Sequence, residues 1–255
     1  MGALHDGHHT LIRKSMDECD ISICSIFVNP TQFNEATDLD NYPRTLEADC
    51  VGLEEIGCDI VFAPSAREMY PDGMDYVVDV DLKGLDEVME GAHRPGHFAG
   101  VVQVVKLLVD ITDCDLLYMG QKDFQQFSII RQMLKSLKYN TKLVVCPISR
   151  DPDGLARSSR NTRLTEAHRS DAPNIHNVLI KTKQQINKVD ITTLQSAAVE
   201  QLTIPGFKPE YFDIIDGHTL RSIEDAEATD LVVACTAVWA GDVRLIDNMV
   251  LKGKL

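Results

Sequence analysis

The sequence predicts an α/β protein, with an open parallel sheet followed by a smaller α+β domain. Short apolar runs rich in β-branched residues recur through the N-terminal part of the 255-residue chain. Stretches of helical periodicity separate them, the alternation that a parallel sheet with crossover helices requires. Past Thr165 the order changes, with polar helices first and clustered strands after.

The opening "MGALHDGHHTLIRKS" reads as a turn entering a helix. "ISICSIFV" (21–28), a continuous apolar run ended by "NP", predicts a strand buried on both faces. A helix from Thr45 to Glu55 and a short strand, "DIVFAP" (59–64), follow. "DYVVDVD" (75–81) alternates and predicts an edge or excursion strand. "HFAGVVQVVKLLVDI" (97–111) has helical periodicity and reads as a mostly buried helix. "DLLYMG" (115–120) predicts another buried strand, "DFQQFSIIRQMLKSL" (123–137) the helix after it, and "TKLVVCPI" (141–148) a further strand. A loop rich in Asp, Pro, Gly and Ser runs on to Thr165. Helices over 166–187 and 191–203 then precede the strands "YFDIID", "LVVACTAVWAG" and "VRLIDNMVL". The change of texture divides the chain into domains 1–163 and 164–255. A turn such as "MGALHDGHH" needs a strand before it, because ligands bind where the chain leaves strand C-terminal ends. The expectation is therefore that an N-terminal segment supplying that strand precedes Met1.

Bulk properties narrow the function classes. A net charge of -14 opposes a nucleic-acid surface. The apolar runs are too short for a membrane span, and the start has no signal-segment pattern. Seven scattered cysteines with no C-x-x-C pair read as reduced thiols in a cytoplasmic protein. Small-molecule work remains.

Three clusters carry chemistry. If Gly7, His8 and His9 begin a helix, their N–H groups lack intrahelical partners and the dipole favours anions. His5 and His8, neither a usual capping residue, then read as neutral donors to a nucleotide triphosphate, with Gly7 admitting a flat base against the backbone. A metal pair at i,i+3 or i,i+4 and plain surface histidines remain open at this stage. "DPDGLARSSRNTRLT" (151–165) offers Arg157, Ser158, Ser159, Arg160 and Asn161 on a mobile loop, which is phosphate-binding rather than metal-ligating chemistry. The alternative is a polar interdomain linker. "MGQKDFQQF" (119–127) places Lys122 for a phosphate, Asp123 for a helix cap or a ribose hydroxyl, and Gln126 one turn on. Asn29 and Gln32 in "FVNPTQF" could read a carboxylate or hydroxyl, and Arg94, Gly96 and His97 in "GAHRPGHFAGV" form another candidate anion site.

Taken together, "MGALHDGHHTLI", "SIFVNPTQF", "NYPRT", "RPGHF", "KDFQQ" and "DGLARSSRN", in this order, resemble the pantothenate synthetase (pantoate-beta-alanine ligase) family. H-x-G-H alone indicates only the wider nucleotidyltransferase superfamily. The resemblance implies a Rossmann-like ATP-binding domain with a smaller C-terminal lid, a homodimer, and ATP with Mg2+ bound through its phosphates. By motif it implies that Met1, Gly2, Ala3, Leu4, His5, Asp6, Gly7 and His8 line the ATP site, with His8 and its companion His5 catalytic. It further implies that Gly120, Gln121, Lys122 and Asp123 hold ATP, and that Arg157, Ser158, Ser159 and Arg160 hold the phosphates. Gln32 would bind pantoate and the beta-alanine site and Gln126 would bind pantoate, while Asn29, Arg94 and Tyr42 fall in matching motifs. The family usually has Glu where this chain has Gln121, a position expected to contribute backbone more than charge. Family members also begin further upstream, with a helix and the first strand. Other readings are another adenylate-forming enzyme of the superfamily and a non-catalytic nucleotide or metal sensor using "HDGHH".

Overall fold

The computed structural model describes residues 1–32, 39 and 42–255, so Phe33 of "VNPTQF" and Asn41 of "NYPRT" lie outside the described residues. The chain is mixed α/β and forms two compact units. One comprises Met1–Gly120 with Gln125–Cys146, and the other Gln121–Phe124 with Pro147–Leu255. The units therefore part at 146/147, upstream of the change of texture at 163. Residues 147–163 go with the second unit because Arg150, at the base of that loop, pairs with Asp247 near the C-terminus.

The first unit runs α1 (Asp6–Glu18), β1 (Ile23–Ser25), α2 (Leu46–Ile56), β2 (Ile60–Phe62), α3 (His97–Thr112), β3 (Leu116–Gly120), α4 (Phe124–Ser136) and β4 (Lys142–Cys146). The strands pair in parallel, as expected. Among the described residues they form two two-stranded pieces, β1 with β2 and β3 with β4, rather than one continuous sheet. The Met1 ammonium donates to Ser25 O at 3.0 Å and Met1 O accepts from Phe27 N–H at 2.9 Å, beside the end of β1. The expected strand 21–28 is shorter than its apolar run. Cys24 and Ile26 are buried, but Ile21 is 61% exposed and Ile23 is also exposed, so burial on both faces fails at that end. Ile12, Cys24, Ile26 and Leu53 form the core where α1 and α2 pack on β1. Burial pushes the Cys24 thiol up to about 12, which leaves it inert as a nucleophile.

"DYVVDVD" forms no strand. Its backbone is tied instead by one buried side chain, because Gln103 Nε2 donates to Met74 O at 2.9 Å and to Tyr76 O at 2.8 Å. Val77, 76% exposed, shows that the alternation has no core face to serve. α3 enters through Gly96, whose φ of 82° suits glycine. Its first turn packs closely against the chain after β1. A Cβ on Gly100 would lie 2.3 Å from Thr31 O, so only glycine permits the approach.

In the second unit the expected helix 166–187 is broken into α5 (Glu166–Asp171) and α6 (Asn174–Gln185), because Pro173 interrupts the backbone hydrogen bonding between them. α6 buries Ile175, Val178, Leu179 and Thr182, and α7 (Ile191–Leu202) buries Ile191, Leu194, Ala198 and Leu202, both at helical spacing. These stripes pack on the antiparallel sheet of β5 (Phe207–Asp216), β6 (Val232–Ala240) and β7 (Val243–Lys252), with β6 central. Pro209, which cannot donate to a ladder, lies on the edge strand β5 beside a register shift. All seven cysteines are free thiols, and among the described residues no helix is long and apolar enough to cross a membrane.

Gly100→Ala should destabilise the protein by about 1–3 kcal/mol, through displacement of the Thr31 segment. A lower urea midpoint with an unchanged slope checks this. An unchanged midpoint would mean that the close approach is not required.

Candidate active site

The histidines of the first turn have a duty that the sequence did not suggest. His5 is the N-cap of α1. Gly7 N–H donates to His5 Nδ1 at 3.1 Å, and His5 N–H donates to His8 Nδ1 at 3.3 Å, so the two rings form a capping box. They lie close together and tilted, with centroids 4.0 Å apart and planes 36° apart. A nitrogen that accepts a backbone hydrogen bond carries no proton, so each neutral ring bears its hydrogen on Nε2. The expectation of neutral donors is thereby given a specific atom. The expectation that these N–H groups lack partners within the helix turn is corrected, since Gly7 N–H donates to the His5 cap and His8 and His9 N–H donate to His5 O at 2.7 and 3.1 Å. Gly7 is moreover already buried by protein.

The approach to this turn is fixed by a residue that no motif in the sequence marks. Asp49, on α2 and only 4% exposed, accepts from Ala3 N–H at 3.0 Å, Leu4 N–H at 2.8 Å and Thr45 Oγ1 at 3.0 Å. This holds Ala3 at a φ of 49°, outside the usual range for alanine. Gly2 lies against Val28 and Tyr42, where an added Cβ would be 3.5 and 3.8 Å from their nearest atoms. Met1 and Asp6 stand at the exposed ends of the segment.

The Asn29 amide is committed to the protein. It donates to Thr31 Oγ1 at 2.9 Å and Gly100 O at 3.1 Å, and its oxygen accepts from Tyr70 O–H at 2.7 Å. It shapes the turn instead of reading a ligand. Gln32 keeps its side chain outside such bonds among the described residues, while its carbonyl accepts from His97 Nδ1 at 2.9 Å and Arg94 Nη2 at 3.4 Å. Arg94 Nη1 reaches His97 Nε2 at 3.2 Å, so Gln32, Arg94 and His97 form one group. On α4, Gln125 is buried and donates to Leu85 O and Val88 O. The side chain of the half-buried Gln126 beside it has no hydrogen-bond partner among the described residues.

In the second unit, the turn after Gly120 carries Gln121, Lys122 and Asp123. Lys122 Nζ lies 4.0 Å from the Asp123 carboxylate. Asn248 of β7 holds this turn by donating to Gln121 O at 3.0 Å and Lys122 O at 2.9 Å, while Gln121 Nε2 donates back to Asn248 Oδ1 at 3.1 Å. Gln121 thus uses both its backbone and its uncharged amide, in keeping with a position expected to contribute backbone more than charge. The loop 151–165, expected to be mobile, carries several side-chain ties. Arg150 forms a two-pronged bond to buried Asp247 at 2.6 and 2.9 Å and donates to Gly154 O at 3.0 Å. Arg157 Nε donates to Asp151 at 2.9 Å, and Arg169 bridges Asp151 and Asp153. The Arg169 guanidinium holds the Asp153 carboxyl below its usual range. Ser158 caps a short 3-10 helix, Ser159–Arg163, accepting from Arg160 N–H at 3.3 Å, which leaves its O–H to donate elsewhere. Asn161 donates to Ala156 O, and its buried oxygen has no partner among the described residues.

Asp49, Asp247 and Asn248 were missed because nothing in their own segments marks them as functional. The one signal for the latter pair was a charged and an amide residue inside the otherwise apolar "VRLIDNMVL". Asp49→Asn turns an NH2 towards backbone donors and should cost about 2–3 kcal/mol. Chemical denaturation measures this, and a variant as stable as the parent would show that the three bonds are dispensable.

A model of the pantoate-beta-alanine ligase family matches residues 1–250. The pantothenate synthetase of Bacteroides thetaiotaomicron is 46% identical over 98% of this chain and 88% of that protein. Among solved structures, the pantothenate synthetase of Thermus thermophilus superposes with a TM-score of 0.93 at 36% identity, covering 99% of this chain and 91% of that one. The pantoate-beta-alanine ligase of Francisella tularensis, solved in complex with beta-gamma ATP and beta-alanine, gives a TM-score of 0.80 at 37% identity, over 98% of this chain and 87% of that one. With this match running through the capped histidines, the Lys122 turn and the Ser-Arg loop alike, the chain belongs to the pantoate-beta-alanine ligase family.

Proposed function

We propose that this chain uses ATP to join pantoate to beta-alanine through a pantoyl adenylate, releasing pyrophosphate and then AMP. The pantoate carboxylate, an anion at neutral pH, attacks the α-phosphorus of ATP without a general base. Pyrophosphate leaves and a mixed anhydride forms. The amine of beta-alanine then attacks the acyl carbon, and AMP departs. The first step calls for charge stabilisation along an in-line displacement. The observation that carries this reading is the Nδ1 acceptance of both histidines, which makes His5 and His8 preorganised Nε2–H donors. Lys122, Ser158, Ser159, Arg157 and Arg160 add donors and positive charge, and Met1 to His8 with Gly120 to Asp123 bind the nucleotide.

Gln32 and Gln126 read the carboxylate and hydroxyls of pantoate, with Arg94 beside Gln32 and Tyr42 beside Gly2 in support. Asn29 supports the same pocket from behind. Among the described residues no group of three or more His, Cys, Asp or Glu is placed to hold a metal ion. Mg2+ belongs to the proposal only as the partner of ATP's own phosphates. A homodimer is part of the same proposal, and sedimentation of the purified chain should give twice its 28.4 kDa mass. A monomer at every concentration would remove that part.

His8→Ala should lower pantoate-dependent pyrophosphate release by roughly 10²–10³, about 3–4 kcal/mol. AMP release by the parent chain, assayed with pantoate and beta-alanine omitted in turn, checks the substrates. Turnover by His8→Ala at the parent rate, or AMP release without pantoate, would overturn the assignment.

A further inference from the structure

Two loops of the second unit that the proposed function assigns to the phosphates rest on consecutive residues of one strand. Asp247 and Asn248 of β7 are 5% and 2% exposed. Their ladder partners on β6 are Thr236 and Cys235, so β7 is in register at this point. Asp247 receives both guanidinium prongs of Arg150 and also the N–H of Asn248, at 2.8 Å. Arg150 in turn donates to Gly154 O, and the Arg150–Ala156 bridge closes the base of the loop that leads to Arg157 and Ser158. Asn248 spends its whole amide on the other loop, with two donors on the Gln121 and Lys122 carbonyls and one acceptor for Gln121 Nε2.

We infer that Asn248 is a positioning residue, which registers the Lys122 turn against the strand that anchors the Ser-Arg loop through Asp247. The inference rests on the proposed role of Lys122. A planar amide that satisfies two successive carbonyls fixes the peptide orientation between them, and so the direction in which the Lys122 side chain leaves the backbone. Without those donors the turn keeps its sequence but loses its register, and Lys122 spends most of its time out of place. Such a residue is felt in the transition state through Lys122, while pantoate binding is untouched.

Four variants test this: Lys122→Ala, Asn248→Ala, the double variant, and Asn248→Asp, which keeps the shape but replaces the two-carbonyl donor with an acceptor. Pantoate-dependent pyrophosphate release and both KM values are read on protein shown to be folded by circular dichroism. Asn248→Ala and Asn248→Asp should each lower kcat about ten- to hundredfold, with KM for pantoate within about twofold of the parent. In the Lys122→Ala background, Asn248→Ala should cost less than about twofold more, because the group it acts through is gone. Amide hydrogen exchange over residues 120–124 should also be faster in Asn248→Asp, and this readout needs no activity. Effects of the two sites that multiply, a parent-like rate in Asn248→Asp, or unchanged exchange would overturn the inference while leaving the role of Lys122 standing. A harmless Lys122→Ala would overturn that role, and the inference with it.

Discussion

A backbone that leaves a helix or strand carries N–H and C=O groups with no ladder partner, and burying one unpaired costs about 1–3 kcal/mol. In this chain buried carboxylates and amides repeatedly settle that cost. Asp49 takes the N–H groups of Ala3 and Leu4, and Asn29 takes Gly100 O. Gln103 takes the carbonyls of Met74 and Tyr76, Gln125 those of Leu85 and Val88, and Asn248 those of Gln121 and Lys122. Each is a short planar group with several hydrogen-bonding positions, so one side chain can orient two peptides at once. The segments that carry candidate chemistry are thereby tied by side chains where no ladder reaches them.

The capped histidines extend the same economy to the reacting groups. A serine or aspartate at the start of α1 would satisfy the helix equally well. An imidazole does so with one nitrogen, Nδ1, and places its second nitrogen on the far side of the ring. Acceptance at Nδ1 places the hydrogen of the neutral ring on Nε2, so helix capping and donor identity are a single constraint.

Element type and order were largely legible in the sequence, because apolar periodicity reflects burial directly. The parallel pairing, the antiparallel C-terminal sheet and the amphipathic α6 and α7 follow from it. Where periodicity misled, another contact had decided: Gln103 holds the start of "DYVVDVD" through Tyr76 O without a neighbouring strand, and Pro173 divided a helix whose apolar spacing runs on. The motif residues were legible by type but not by duty. Asn29 and Ser158 looked like ligand contacts, yet Asn29 is consumed by the turn it shapes and Ser158 gives one lone pair to a cap. Asp49 and Asn248 were illegible because their partners lie 45 and 127 residues away.

The Cys24 thiol is fully enclosed between α1, α2 and β1 and held un-ionised up to about 12, whereas Cys19, Cys50, Cys58 and Cys114 have some solvent exposure. Alkylating reagents therefore meet two populations of sulfur in the intact fold. Modification at Cys24 requires the packing of the first unit to come apart, which gives the protein a built-in chemical clock for the opening of the core beneath the capped histidines.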